Sequence, residues 1–269
     1  MVTDVMRTPL DVNTLASGLA APWRQVDVVD ETGSTNADLL ARATGGENIA
    51  GKVLFAEFQN AGRGRHGRRW TAPPRSQLIV SFGVDTAGVP TDTWGWLPLA
   101  TGLAIVDAVG EVCDVDAGLK WPNDVLVGPP ESAGKLAGIL AEMAPTQVVV
   151  VGLGLNVTLT VEEAPDPRAT SLAQQGAPAV DRNHLAPVLL RRLAARIESW
   201  RTGDPSLAAD YRARSVTIGS QVRASLPGDR SVEGVAESVD DLGRLVIDTG
   251  GERVRVSAGD ITHLRPLGS

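Results

Sequence analysis

The chain has 269 residues, 43% of them hydrophobic and 21% charged, with a formal net charge of -7; this length can bury a full core and suits one large domain plus a small one. The acidic balance disfavours a nucleic-acid-binding protein. A lone cysteine, Cys113, excludes an internal disulfide and suits a reducing compartment.

In chain order, Met1 to Leu10 carries Asp4 and Arg7 without an apolar core, so a signal peptide is not expected. No apolar run approaches the roughly 18 residues of a membrane span, and a cytoplasmic protein is expected. Residues 11–20 read as a short helix and 24–30 as a strand. After the turn at 31–33, Ser34 or Thr35 can cap a helix over 37–43, with Asp38 completing a box with Thr35. Strands are expected at 52–58 and 78–84, on either side of a basic loop. Apolar residues at helical spacing predict a buried helix over 96–112, with Cys113 packed at its end. Apolar, β-branched runs follow at 125–127, 136–141 and 148–157, and Gly128–Gly134 reads as a hairpin loop. The run Val148-Val149-Val150-Val151 is continuous, which points to a strand covered on both faces. Helices are expected at 184–200 and 205–214. From Ser215 the pattern changes to short alternating runs at 221–226, 231–239, 244–248 and 253–257. Turn signals at Pro227-Gly228-Asp229, Asp240-Asp241-Leu242-Gly243 and Gly250-Gly251 separate them, as in a small all-β barrel.

Residues 62–70, Gly-Arg-Gly-Arg-His-Gly-Arg-Arg-Trp, concentrate positive charge in an acidic chain. Glycine lets backbone N–H groups approach a ligand, and arginine presents a fork of donors matched to carboxylate and phosphate oxygens. Trp70 adds a flat face on which a base can stack. A solvated loop and a nucleic-acid patch are the alternatives. Gly62, Gly64 and Gly67 also satisfy the dinucleotide glycine spacing, but that fingerprint opens a helix, and Pro73-Pro74 blocks one here.

Lysine occurs only at 52, 120 and 135 among 25 basic residues, and two of these lie in motifs. Lys120-Trp121-Pro122-Asn123-Asp124 is a turn placed between a helix and a strand. Gly134-Lys135-Leu136-Ala137-Gly138-Ile139 sets a lysine at the start of an apolar strand, where an edge lysine for solubility is the plain reading. Asn156 closes Gly152-Leu153-Gly154-Leu155-Asn156, and Gln59 precedes the basic loop; each alone is an ordinary turn or strand-end residue.

Taken in order, these segments resemble the biotin protein ligase family from about Asp30 to Asn156. GRGRHGR, KWPND, GKLAGI and GLGLN stand in the family's order and approximate spacing. The resemblance implies an α+β fold: a mixed-sheet catalytic domain of the biotin/lipoate ligase type with flanking helices over 1–214, and an SH3-like β-barrel over 215–269. It implies activation of biotin by ATP to biotinyl-5′-AMP, then transfer to a lysine of a biotin carboxyl carrier domain. Ser34, Thr35 and Gln59 match residues that hydrogen-bond the ureido ring, with Gly62 and Arg63 closing the pocket. Arg63, Arg65 and Arg68 match those that order the loop over carboxylate and phosphate. Trp70 matches the aromatic that stacks on adenine, and Asn156 the amide at the adenine edge; Asn36, Gly64 and Gly138 complete the binding set. Lys135 matches the lysine contacting carbonyl and phosphate in both steps. Lys120, Asn123 and Asp124 match the turn facing phosphates, metal and amine, so Lys135, Arg65, Lys120 and Asp124 form the expected catalytic group. Mg²⁺ is expected with ATP, near Asp124 and without fixed protein ligands.

About 25 residues precede the first catalytic strand, too few for the DNA-binding domain of bifunctional members, so a monofunctional ligase is expected. No DNA or membrane partner is expected, and the oligomer is a monomer or weak homodimer. His66 stands where many relatives carry arginine. A lipoate or octanoate ligase and a non-catalytic nucleic-acid module are the competing functions.

Overall fold

A computed structural model describes residues 7–17, 19–129, 131–177, 180–226, 230–257 and 260–263. The Pro227–Asp229 turn and the first six residues of the N-terminal segment lie outside the described residues. A seven-stranded mixed sheet, ordered β1-β2-β3-β7-β6-β5-β4, forms the body. Its strands are β1 (Gln25–Val29), β2 (Lys52–Ala56), β3 (Gln77–Asp85), β4 (Ala117–Lys120), β5 (Asp124–Val127), β6 (Gly134–Met143) and β7 (Val148–Asn156). β1 and β2 run parallel, joined by α2 (Thr35–Thr44); every other neighbouring pair is antiparallel.

The alternation of side chains along a strand explains how this sheet is covered. Val149, Val151, Leu153 and Leu155 of β7, with Leu78, Val80, Phe82 and Val84 of β3, join one large core. α3 (Trp96–Cys113) and α4 (Arg182–Thr202) cover that face. Val148 and Val150, with Leu54 of β2, join a second, smaller core under α2. Every residue of β7 is buried, as its unbroken apolar run predicts. α3 has the length and composition of a membrane span, unlike the expectation from sequence, yet two thirds of it is buried as the central core helix.

α1 (Val12–Ser17) precedes the sheet, and α5 (Ser206–Arg214) leads into a five-stranded antiparallel sheet ordered β11-β10-β9-β8-β12. Its strands are β8 (Gln221–Leu226), β9 (Arg230–Val239), β10 (Leu245–Asp248), β11 (Arg253–Val256) and β12 (Asp260–His263). The last is additional to the four expected. The connecting residues lie on the body: Val216 N donates to Leu119 O (2.9 Å), covering the edge of β4.

Several local expectations change. The Lys120–Asp124 turn joins two strands, because Ala117–Lys120, though poor in β-branched residues, forms β4. Ser34 is the cap of α2, accepting from Ala37 N at 3.5 Å. The Thr35–Asp38 box does not form, since Asp38 accepts from Thr32 Oγ1 at 2.6 Å. Lys135 lies on β6, an inner strand, so it is no edge lysine. Cys113 is half-buried, and burial pushes its thiol pKa up.

Candidate active site

The face of the sheet that carries α2 changes character toward the C-terminal end of β7. Val148 and Val150 give way to Gly152, Gly154 and Asn156, while the opposite face stays apolar. Cross-strand register sets Ser81 and Leu140 beside Gly152, Ile79 and Gly138 beside Gly154, and Gln77 beside Asn156. A groove floored by glycines therefore crosses three strands.

Close approach accounts for the glycines. A Cβ on Gly152 would stand 2.1 Å from Asn36 Oδ1, and one on Gly154 2.2 Å from Trp70 Nε1. One on Gly62 would meet Trp70 O at 2.3 Å. Backbone hydrogen bonds fold the basic loop back on itself: Trp70 N donates to Gly62 O (2.9 Å) and Gly64 N to Arg68 O (2.7 Å). Between them Arg68 N donates to Arg65 O (3.2 Å), closing a tight turn in which His66 (φ 55°) and Gly67 (φ 72°) are left-handed. The loop thereby carries Trp70 over Gly138 and Gly154.

At one end of the groove lies a buried polar chain. Thr35 N donates to Gln59 Oε1 (2.7 Å), and Thr35 Oγ1 lies within hydrogen-bond distance of both Gln59 Oε1 (3.0 Å) and Ser81 Oγ (2.6 Å). Ser81 Oγ donates to Asn36 Oδ1 (2.6 Å), and Asn36 Nδ2 to Glu142 Oε2 (2.8 Å). Arg63, from the loop, reaches Glu142 at 3.4 Å. Ser34, Thr35, Asn36 and Gln59 are all buried.

At the other end, Trp70 Nε1 donates to Gln77 Oε1 (3.0 Å), and Gln77 Nε2 to Asn156 Oδ1 (2.5 Å). Asn156 Nδ2 donates to Thr170 O (2.7 Å) and Lys135 O (3.3 Å), so this amide also ties β7 to its neighbours.

Beside Trp70, toward β5 and β6, sits a charge cluster. Lys135 Nζ is 2.6 Å from Asp124 Oδ1 and 5.4 Å from the centroid of the Trp70 ring, within reach of a cation–π interaction. Burial lowers the Lys120 pKa below the ordinary lysine range; Asp124 works against this, while Arg168, Lys135 and Arg68 add to it. Burial likewise lowers the pKa of the Arg65 guanidinium, again countered by Asp124 and reinforced by Arg68. Arg65 Nη1 donates to Asn123 Oδ1 (3.4 Å), joining loop to turn, and Asn123 Nδ2 donates to Ile139 O (2.9 Å). Among the described residues no three His, Cys, Asp or Glu side chains gather as a metal site.

The structure thus gathers the expected residues about one groove, with the polar chain at the Gly152 end and the Lys135–Asp124 pair beside Trp70. Gln77, Ser81, Glu142 and Arg168 were not expected. For the first two a signal existed: Gln77 and Ser81 face the same side of β3, whose other face is apolar. Such a groove suits a ligand with a polar head, a carboxylate at the cations, and a flat ring under Trp70.

Residues 30–156 match the model of the biotin/lipoate A/B protein ligase family, and residues 217–264 that of the biotin protein ligase C-terminal domain. The fold and groove therefore define a carboxylate-activating ligase. Across 268 residues the chain is 57% identical to a biotin--[acetyl-CoA-carboxylase] ligase of Mycobacterium tuberculosis, covering 97% of this chain and 98% of that one. It is 29% identical over 230 residues to the bifunctional ligase/repressor BirA of Escherichia coli, covering 84% and 70% respectively. The fold is similar to that of a biotin protein ligase from Aquifex aeolicus in complex with biotin and ATP, with a TM-score of 0.76 and 24% identity over 91% of this chain and 100% of that one. The chain belongs to the biotin protein ligase family.

Proposed function

We propose that the protein activates biotin with ATP and transfers it to a lysine of a biotin carboxyl carrier domain of a biotin-dependent carboxylase. One observation carries this reading: a glycine-floored groove links the buried Thr35–Gln59–Ser81 chain to the Lys135–Asp124 pair beneath Trp70. A ureido ring needs donors and acceptors in an enclosed place, which Ser34, Thr35 and Gln59 supply, with Asn36, Gly62 and Arg63 around them. The valeryl chain then runs along the groove to the cations, and adenine lies on Trp70 near Asn156.

In the first step a biotin carboxylate oxygen attacks the α-phosphorus of ATP. A new P–O bond forms and the bond to pyrophosphate breaks. Two anions must meet, so positive charge held in place beforehand lowers the barrier. Lys135, Lys120, Arg63, Arg65 and Arg68 supply it, with the Gly64 backbone in the loop and Asn123 bracing Arg65. In the second step the acceptor amine attacks the acyl carbonyl carbon, the C–O bond to AMP breaks, and an amide forms. Lys135 faces the carbonyl, and Asp124 accepts the proton that the amine loses. Mg²⁺ neutralises the ATP phosphates when bound. The ion would be carried by the nucleotide, with Asp124 the nearby carboxylate.

The change of pattern at Ser215 supports a catalytic unit over 1–214 and a C-terminal unit over 215–269. The net charge of -7 supports a protein partner rather than DNA.

ATP–pyrophosphate exchange with Mg²⁺, run in parallel with biotin, lipoate and octanoate, tests the reading. Exchange with biotin alone is expected. Exchange with lipoate or octanoate replaces the substrate, and silence with all three removes the adenylation chemistry.

A further inference from the structure

The basic loop leaves the sheet after Ala56 and rejoins it at Gln77. Its two stems meet where Arg75 N donates to Glu57 O (2.8 Å). Beneath this junction lies a buried ion pair, Glu57 (3% exposed) and Arg182 (4%). Arg182 Nη1 stands 2.7 Å from Glu57 Oε2 on the outgoing stem and donates to Gln77 O (3.1 Å) on the returning one. Its Nη2 donates to Thr8 O (2.7 Å), and Glu57 Oε1 accepts from Leu10 N (2.5 Å). One planar guanidinium therefore ties both stems to each other and to the N-terminal segment.

The chemistry proposed above uses neither charge. A buried ion pair is a poor source of stability, because desolvation offsets the attraction. The fork's directed hydrogen bonds to Gln77 O and Thr8 O fix geometry instead, while Glu57 is held by charge. What they fix lies next to ligand: Gln59, two residues past Glu57, holds Thr35, and the Gln77 side chain holds Trp70 and Asn156.

We propose that Arg182 is a positioning residue for the basic loop, setting the spacing of its stems and so the closure of Arg63, Arg65 and Trp70 over the acyl-adenylate. The inference rests on the proposed reaction for its catalytic readout, and on geometry alone for its structural one.

Arg182→Lys separates the two roles of the side chain. Lysine keeps the charge that Glu57 requires but cannot span two stems and the N-terminal segment as a fork does. The full-length variant should melt close to the unaltered protein and still show biotin-dependent exchange. It should release biotinyl-AMP about tenfold to a hundredfold faster, in keeping with the cost of a misplaced reactant. Without any ligand, trypsin should cut faster between Arg63 and Arg69. Arg196→Lys, in the distant pair with Asp107 and Asp210, should change neither readout. Should Arg182→Lys fail to fold, the double variant Glu57→Gln with Arg182→Gln takes its place: it removes both charges together, leaves no buried charge unpaired, and should change both loop readouts in the same direction.

Unaltered trypsin cleavage and adenylate retention would overturn the proposal. Absence of biotin-dependent exchange in the unaltered protein would instead sink the proposed function, and the trypsin comparison would still decide the role of Arg182.

Discussion

Gly154 lacks a side chain where the indole of Trp70 must lie. An added methyl would sit 2.2 Å from Nε1 and 2.6 Å from Cε2, which the ring relieves only by leaving the groove floor. Overpacking of this kind costs typically about 1–3 kcal/mol. Because the site lies under the ring proposed to hold adenine, Gly154→Ala should weaken ATP binding by roughly tenfold to a hundredfold and leave biotin binding nearly unchanged. Calorimetric titration of each ligand separately checks this; a loss confined to biotin would contradict the placement of Trp70. A second residue-scale prediction concerns Lys120. Burial lowers its pKa and the Asp124 carboxylate supports it, so Asp124→Asn lowers that pKa further. Lys120 then loses its proton, and its service to phosphate, at lower pH. The alkaline limb of the pH profile of pyrophosphate exchange should move down in that variant; a limb that stays or moves up would remove Lys120 as its source.

At the scale of elements, the basic loop acts through its attachments as much as its charge. Arg65 is partly desolvated and reaches Asn123 on the β4–β5 turn. Cutting that link in Arg65→Gly should let biotinyl-AMP escape at least about tenfold faster, the scale of a lost charge-assisted contact, and label bystander lysines. Tight retention in that variant would exclude a clamp. The loop was legible in the sequence, because glycine beside arginine is a local signature of close approach to an anion; the two lysine motifs and the end of β7 were legible only through their order and spacing beside it. The polar floor was not. Gln77 and Ser81 stand in a strand whose other face is wholly apolar, and the eye follows the apolar run rather than the alternation inside it. Glu142 and Arg168 acquire meaning only through pairing: Glu142 meets Arg63 from a segment about 80 residues earlier in the chain, as its number shows. β4 escaped notice because Ala-Gly-Leu-Lys has little strand propensity and is held by its partner strand and the 215–217 segment.

At the scale of the whole molecule, Thr217 and the β9–β10 turn brace α3 and the Lys120–Asp124 turn. Trp121 Nε1 donates to Gly243 O (3.0 Å), Trp121 N donates to Thr217 Oγ1 (3.0 Å), and Trp96 Nε1 donates to Asp241 O (2.9 Å). A cleft of about 430 Å³ lies between the Leu242–Arg244 turn and the residues Arg65, Trp121 and Asn123. Trp121→Phe keeps the ring but strands the Gly243 carbonyl, at about 1–3 kcal/mol for an unpaired buried group. The thermal midpoint should fall by about 2–4 °C for each kcal/mol lost in a protein of this size, and exchange activity should fall with it. An unchanged midpoint in scanning calorimetry would show that the two sheets are not coupled through this residue.

The alternation along β7 has a consequence for fidelity. Valines on one face of the strand and glycines farther along it serve two different purposes, and only a single pairing with β3 and β6 satisfies both. A slip by one residue would turn Leu153 and Leu155 into the groove and Gly152 and Gly154 into the large core. The same error would thus leave a hole in the hydrophobic packing and plug the place meant for ligand. A chain that misfolds in this way is inert as well as unstable, so mispaired copies cannot persist as active enzymes with degraded selectivity.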